Sequence, residues 1–407
     1  MSHPGPKRPF FDSIPAQTLI ALSFNIISLF AGGLISIFAP RFQEATWILA
    51  LFPPILTIRG GIGGIFSGNL ATMLHLGLIR PKIRDNTPVY MQLISAIFVI
   101  TLVDTLAMGL FAFVLNMVFG QATLAQLPVF LVVPPVACFM AMALSIPITS
   151  VIANITFKKG LDPDILVYPI LASVNDIMVT AAFVVTIYLV LSGGAFTYLL
   201  VGIFILIIGL TVMIYWRNRS VRFFYQTIEE GTTVVIVSSL FGSINGFLLS
   251  SMSGALLEYP GLVVLYPALT NALGNIGAII GSTKTTSLAL GYVENFKDEV
   301  KSAVAQISQV ESVAFLMHVV FGAVAYLITI PTLPGASLSL LVGLALVSNL
   351  STFIFIALIA LGAAHLAFRR GLNPDNVVIP VITSLSDTLA TLSLLPSVSI
   401  LKILGII

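Results

Sequence analysis

The sequence predicts an all-α membrane protein of about eleven transmembrane helices, arranged as two parallel five-helix repeats joined by one linking helix. Three observations carry that expectation. Of 407 residues, 58% are hydrophobic and only 8% are charged. Soluble domains carry about 25% charged residues, so too little charge remains here to cover a surface facing water. Eleven apolar stretches reach the roughly 20 residues that a spanning helix needs. Finally, two blocks of the first half recur in register in the second.

The stretches run over 17–39, 47–79, 88–119, 128–157, 163–191, 196–216, 231–252, 259–291, 303–330, 336–368 and 374–395. Several exceed one bilayer thickness, which predicts tilt or protruding ends. Their connections alternate in basicity. One set holds Lys7 and Arg8, Arg80, Lys82 and Arg84, Lys158 and Lys159, Arg217, Arg219 and Arg222, Lys297 and Lys301, and Arg369 and Arg370. The opposite set holds only Arg41 and, at the tail, Lys402. The positive-inside rule then puts the N-terminus in the cytoplasm and the C-terminus outside a multi-pass cell-membrane protein. Met1 to Asp12 is polar and proline-rich, which does not read as a cleavable signal. The tract Tyr215–Gly231, with three arginines and Glu229–Glu230, reads as an interfacial connector or a solvated linker.

Phe52–Gly77 aligns with Tyr266–Gly291 at an offset of 214, with nine identities in 26 ungapped positions. They include Pro53/Pro267, Gly60/Gly274, Gly63/Gly277 and Thr72/Thr286. Gly160–Asp176 aligns with Gly371–Asp387 at an offset of 211, with eight identities in 17. Apolar matches arise by chance in such a composition, but Pro, Asp, Pro, Ser and Asp in register do not. The repeats occupy 1–192 and 231–407, with 193–230 holding the linking helix and connector. Five spans are an odd number, and the extra crossing at 196–216 returns the chain to its starting side. The repeats are therefore parallel, related by a pseudo-two-fold axis along the membrane normal.

An ionisable group at bilayer depth is costly and marks a candidate site. Asp176 and Asp387 each lie 13 residues past the start of the fifth and eleventh stretches, about 20 Å deep at ~1.5 Å per residue. Pro169 and Pro380 precede them and free the carbonyls of Ile165 and Asn376. Carboxylate, free carbonyl, Ser173 and Ser384, Asn175 and Ser386, and Thr383 make an all-oxygen lining, which suits a hard cation such as Mg²⁺ or Ca²⁺. Asp164 and Asp375 follow Asp162-Pro163 and Asn373-Pro374. That pattern either caps a helix start or forms a carboxylate ring at the cytoplasmic mouth.

Four further positions form a possible second shell or pore backbone. Gly61 and Asn275 lie in glycine clusters that pack helices closely or bring backbone near a permeating ion. Asp104 aligns with His318, and Glu311 lies two turns before His318. The asymmetry reads either as a difference in coupling between the halves or as structural pairing of Asp104 with Arg59, the lone cation of the second stretch. Lys284 is expected to snorkel.

The Pro…Gly-Gly/Gly-Asn helix at 53–64 and 267–277 and the Asp/Asn-Pro-Asp…Pro…Ser-x-x-Asp helix at 162–176 and 373–387 resemble those of the MgtE magnesium-channel family and its fused relatives in solute carrier family forty-one. The resemblance covers nearly the whole chain. It implies that Asp176 and Asp387 match the family's pore aspartate, that the transported ion is Mg²⁺ or another divalent cation, and that the chain works as a monomer, a covalent pseudo-dimer. No cytoplasmic N-domain or CBS pair precedes the first stretch, so the family's magnesium-sensing gate is missing.

Other classes fit less well. A Na⁺- or H⁺-coupled exchanger would use the same residues. An intramembrane aspartyl protease has Pro267-Ala268-Leu269 in its favour, but Gly-x-Gly-Asp is absent around both aspartates and a dyad needs carboxylates sharing a proton. No His-Glu-x-x-His is present. An organic-solute transporter would want an aromatic lining. The expectation is a non-enzyme without cofactor, with the lipid bilayer as its surroundings. A net charge of +2 with scattered basic residues points to no nucleic acid, and the single Cys138 excludes multi-cysteine metal sites.

Overall fold

The computed structural model describes residues 13–83, 85–158, 163–259, 261–289, 296–331, 337–370 and 374–406. Among them, the regular structure is helical throughout: α1 (Ile14–Ser36), α2 (Trp47–His75), α3 (Pro88–Val118), α4 (Leu127–Lys158), α5 (Pro163–Ser192), α6 (Ala195–Asn218), α7 (Arg222–Ser251), the short α8 (Ser253–Glu258), α9 (Gly261–Ala289), α10 (Phe296–Thr329), α11 (Leu338–Arg369) and α12 (Pro374–Ile403). Eleven helices, all but α8, are long and apolar enough to cross a membrane, as the hydropathy pattern predicts.

Helix limits follow from local chemistry. α3, α5 and α12 each begin on proline, where the missing N–H would be unpaired in any case. The Ser337 side chain caps α11 by accepting from the Leu340 N–H. Gly193 and Gly194, both at positive φ (63° and 56°), turn α5 into α6 within two residues. Many buried hydroxyls are satisfied along their own helices: Thr101, Thr105 and Ser239 donate to the carbonyls of Ile97, Thr101 and Val235. Such back-bonding lets polar side chains sit at bilayer depth.

One expectation is corrected. The tract 215–231 is no long connector: α6 ends at Asn218 and α7 begins at Arg222, so Glu229 and Glu230 lie in the early turns of a spanning helix. From Arg222 to Glu230 there is no proline or glycine to stop propagation. The glycine cluster 60–64 lies inside α2, which is helical from Trp47 to His75. Neighbouring helices cover the backbone that Pro53 and Pro54 leave unpaired.

The helices form two compact units, residues 34–258 and residues up to Gly33 with Tyr259 onward. In the first, α7 packs on α2 and α3, α4 on α5, and α2 on α5. In the second, α9 packs on α11 and α12, and α10 on α11; α1 lies against α9, with Asn271 donating to Ser28 and Asn275 to Asn25. Each repeat's first helix, α1 or α7, therefore packs within the unit that holds the other repeat's remaining helices.

The exchanged helices dock in the same way. A Cβ at Gly246 of α7 would overlap the Ala50 carbonyl oxygen of α2, and one at Gly32 of α1 would overlap the carbonyl oxygens of Val263 and Val264 in α9. Gly32 and Gly246 differ by the repeat offset of 214, as do Ala50 and Val264. Pro54 and Pro267 lie one turn after Ala50 and Val263 and offer those carbonyls no N–H. Glycine alone brings backbone close enough to cover them.

Gly246→Ala and Gly32→Ala should each lower stability by about 1–3 kcal/mol through overpacking. Gly60, with open space beside its Cα, should tolerate alanine or gain up to about 1 kcal/mol in helix propensity. Thermal melting in detergent compares them, and equal melting of all three variants would overturn this account of the contact.

Candidate functional site

The deep carboxylates sit on α5 and α12, and each helix is backed by the equivalent glycine-rich partner. On α5, Ser173, Asn175 and Asp176 are all buried, Asp176 being 8% exposed. α2 permits this: a Cβ at Gly63 would stand 2.9 Å from the Asn175 amide nitrogen, so the glycine makes room for that amide. Two to three turns away along the same helix pair, Phe52 and Phe183 stack with ring centroids 6.4 Å apart.

Ser173 Oγ and Asn175 Oδ1 are buried and have no hydrogen-bond partner. Buried polar atoms are nearly always satisfied. Both oxygens lie within three residues of Asp176 along α5.

On α12, Ser384 and Ser386 are buried, while Thr383 and Asp387 are half-buried. Gly274 of α9 faces Thr383, and Gly277 faces Ile382 and Ser386, repeating the Gly63–Asn175 arrangement. The Asp387 carbonyl accepts from the Thr391 hydroxyl at 2.8 Å. Thr391 in turn lies 3.0 Å from the Tyr266 hydroxyl of α9. This Tyr266–Thr391 link pins the turn after Asp387; the sequence offered no signal for it, because both residues pass for ordinary membrane-core side chains.

α5 and α12 begin at Pro163 and Pro374, as the Asp/Asn-Pro-Asp pattern predicts. The side chains of Asp164 and Asp375 lie outside the described residues. Among the described residues, no three His, Cys, Asp or Glu side chains gather into a metal cluster.

The remaining candidates have different surroundings. Asn275 donates to Asn25 Oδ1 at 3.2 Å, and Gly61 lies against Val235 of α7; both contacts join neighbouring helices. The expected Asp104–Arg59 pairing is not formed. Arg59 donates instead to the Ser145 hydroxyl of α4. Both oxygens of the fully buried Asp104 lack a partner, as do Arg59 Nε and Nη1. Arg59 is drawn to α4, and Asp104 stands three residues past Thr101 on α3, whose hydroxyl faces Met142 of the same α4. Lys284 does not snorkel; it is buried, at 8% exposure. His318 is fully buried, with Nδ1 on the Ala314 carbonyl.

Two blocks with matching helix pairs, each centred on a deep aspartate, meet the comparison that decides the family. The MgtE model, described as a divalent cation transporter, matches residues 52–186 and 266–396, together more than half of the chain. The chain belongs to the MgtE family. Both matched blocks include the aspartate helix and its glycine-rich partner, so the family unit occurs twice here.

Relatives extend this likeness across most of the chain. Solute carrier family 41 member 3 of Rattus norvegicus is 23% identical over 371 residues, covering 86% of this chain and 79% of the relative. Member 2 of Xenopus laevis is 27% identical over 384 residues, covering 89% and 67%, and member 2 of Homo sapiens is 25% identical over 401, covering 89% and 66%. No solved structure matches the chain.

Because Arg59 and Asp104 do not touch, Arg59→Gln and Asp104→Asn should act independently. The double variant should change unfolding free energy by the sum of the single changes within about 0.5 kcal/mol. A larger coupling in denaturation would restore the ion pair.

Proposed function

We propose that this MgtE-family chain carries divalent cations, Mg²⁺ foremost, across the cell membrane along a path at the interface of its two repeats lined by Asp176 and Asp387. Ser173, Asn175, Thr383 and Ser384 add oxygen ligands, and Asp164 and Asp375 stand at the mouth. Asn275, Gly61, Asp104 and His318 form the surrounding shell. The observation that carries this reading is the recurrence of a deep aspartate within an oxygen-rich helix, with Ser173 Oγ and Asn175 Oδ1 buried and unspent beside Asp176. The alternation of basic connections supports a cytoplasmic N-terminus and an external C-terminus.

The chemistry of the ion sets how it is held. Mg²⁺ prefers octahedral geometry at ~2.0–2.1 Å and gives up water reluctantly. Two carboxylates balance its charge but cannot replace six waters, so the hydrated ion binds through water. Two metal–water distances of about 2.1 Å and two hydrogen bonds of about 2.7 Å put the facing carboxylate oxygens ~9–10 Å apart in the bound state. Direct coordination would bring them within roughly 4 Å. The same path can serve downhill flow or exchange against Na⁺ or H⁺; flux into proteoliposomes with and without each gradient separates them.

Removing one carboxylate halves the compensating charge. Asp176→Asn or Asp387→Asn alone should therefore abolish most Mg²⁺ flux with unchanged melting, and the double variant should add little. Wild-type rates in both single variants, or a bound state with both aspartates directly on the metal, would sink the proposal. Asp164→Asn and Asp375→Asn should lower flux at unchanged melting temperature; normal flux with slightly lower stability assigns those residues to helix capping alone.

A further inference from the structure

A second polar constellation joins α10 to α11 and has no task in the transport path. Asn349 Nδ2 of α11 donates to Glu311 Oε1 of α10 at 2.7 Å. The remaining oxygen of each side chain, Glu311 Oε2 and Asn349 Oδ1, is buried without a hydrogen-bond partner. Both atoms are acceptors when the carboxylate is ionised, and a buried acceptor left unpaired is costly. A carboxylic acid and a primary amide satisfy each other with two hydrogen bonds, one from the amide N–H and one from the acid O–H. The first is present. A single proton on Oε2 supplies the donor that is missing and cancels the charge.

His318 lies seven residues further along the same helix face. Its Nδ1 stands 2.7 Å from the Ala314 carbonyl, which can only accept, so Nδ1 carries a hydrogen. Nε2 is buried without a partner and is the next open proton acceptor on that face.

Among the described residues, no opposite charge is recorded against the site. α10 packs against α9 and α11 and meets α1 where Gly33 faces Ile328. α1 has no titratable side chain between Ile14 and Ser36. On α9 these groups are Tyr266 and Lys284, and on α11 His365 and Arg369. Tyr266 is engaged by Thr391. The Gln306–Ile279 hydrogen bond sets the register of α9 and α10; Lys284 and Glu311 lie on opposite sides of it, ~15 Å apart along the helices. His365 and Arg369 lie ~24 Å or more beyond Asn349. On α10 itself, Lys297, Asp298, Glu299 and Lys301 precede Glu311 by at least two and a half turns. In the first repeat, the position equivalent to Glu311 at the 214 offset is Ile97, so only one half carries the acid.

We propose that Glu311, paired with Asn349, is a proton-binding site of the second repeat, with His318 as the next acceptor, and that its occupancy is coupled to cation passage. The coupling rests on the transport reading; the proton site does not. Two measurements on the full chain in liposomes keep them apart. In infrared difference spectra across a pH titration, a protonated-carboxyl band appears in wild type and is lost in Glu311→Gln. Asn349→Leu keeps the carboxyl, removes its amide partner and moves the midpoint of that band. A band unchanged in Glu311→Gln, or a midpoint unmoved in Asn349→Leu, overturns the site. In vesicles holding a Mg²⁺ indicator and a pH dye, an inward Mg²⁺ gradient moves protons in wild type. Glu311→Gln retains Mg²⁺ flux and loses proton movement. Mg²⁺ flux without proton movement in wild type overturns the coupling alone; no Mg²⁺ flux in wild type overturns the transport reading, while the infrared band still decides the site.

Discussion

The architecture depends on how a membrane helix survives an interior proline. Proline in α2 and α9 leaves a carbonyl one turn back without its N–H, and in lipid an uncovered backbone group is expensive. Gly246 and Gly32 answer that need by bringing helix backbone directly onto the freed carbonyls of Ala50 and Val263, with Val264 beside the latter. A Cα–H···O contact is weak, worth about 0.5–1 kcal/mol. Its main consequence is steric: the approach fixes which helix lies there and in what register. In both units that helix is the first of the other repeat. The glycine-rich segment one to three turns further on can then back the aspartate helix, with Gly63 against Asn175 and Gly274 and Gly277 against Thr383 and Ser386.

That backing explains how a polar stretch of helix is held buried against its neighbour, with Gly63 leaving room for the Asn175 amide beside Asp176. Hydroxyls of the spanning helices mostly bond back to their own turns, which satisfies them without cross-links. The pattern breaks at Ser173 Oγ and Asn175 Oδ1 beside Asp176, as it does at Thr180, Thr232 and Ser397. A folded protein tolerates such a cost where function repays it. The half-buried Asp387 has a somewhat different setting, its backbone carbonyl accepting from Thr391, which meets the Tyr266 hydroxyl.

The two halves share geometry but not chemistry. Arg59 bonds Ser145 in one unit and Asp104 is buried unpaired there; in the other, Glu311 meets Asn349 and His318 stands at the position equivalent to Asp104. Gene-level duplication preserves the backbone contacts that packing demands, namely Pro, Gly and the deep Asp. Side chains elsewhere are free to diverge, as Asp104 of α3 and His318 of α10 do.

The sequence by itself determined the class, the number of spans, the duplicated unit and the two deep aspartates. Each of these is a property of short segments: apolar length against bilayer thickness, charge in connections, and Pro, Ser and Asp at fixed spacing along one helix. Only the tertiary structure decided which helices touch. Exchange of α1 and α7 between units, the refusal of Asp104 and Arg59 to pair, the burial of Lys284 and the Glu311–Asn349 bond all depend on helix rotation and partner choice. Among helices that are apolar on nearly every face, as these are, hydrophobicity cannot select a partner. Selection falls to a few close-packed glycines and to the direction each polar side chain points, and neither is encoded in the local pattern.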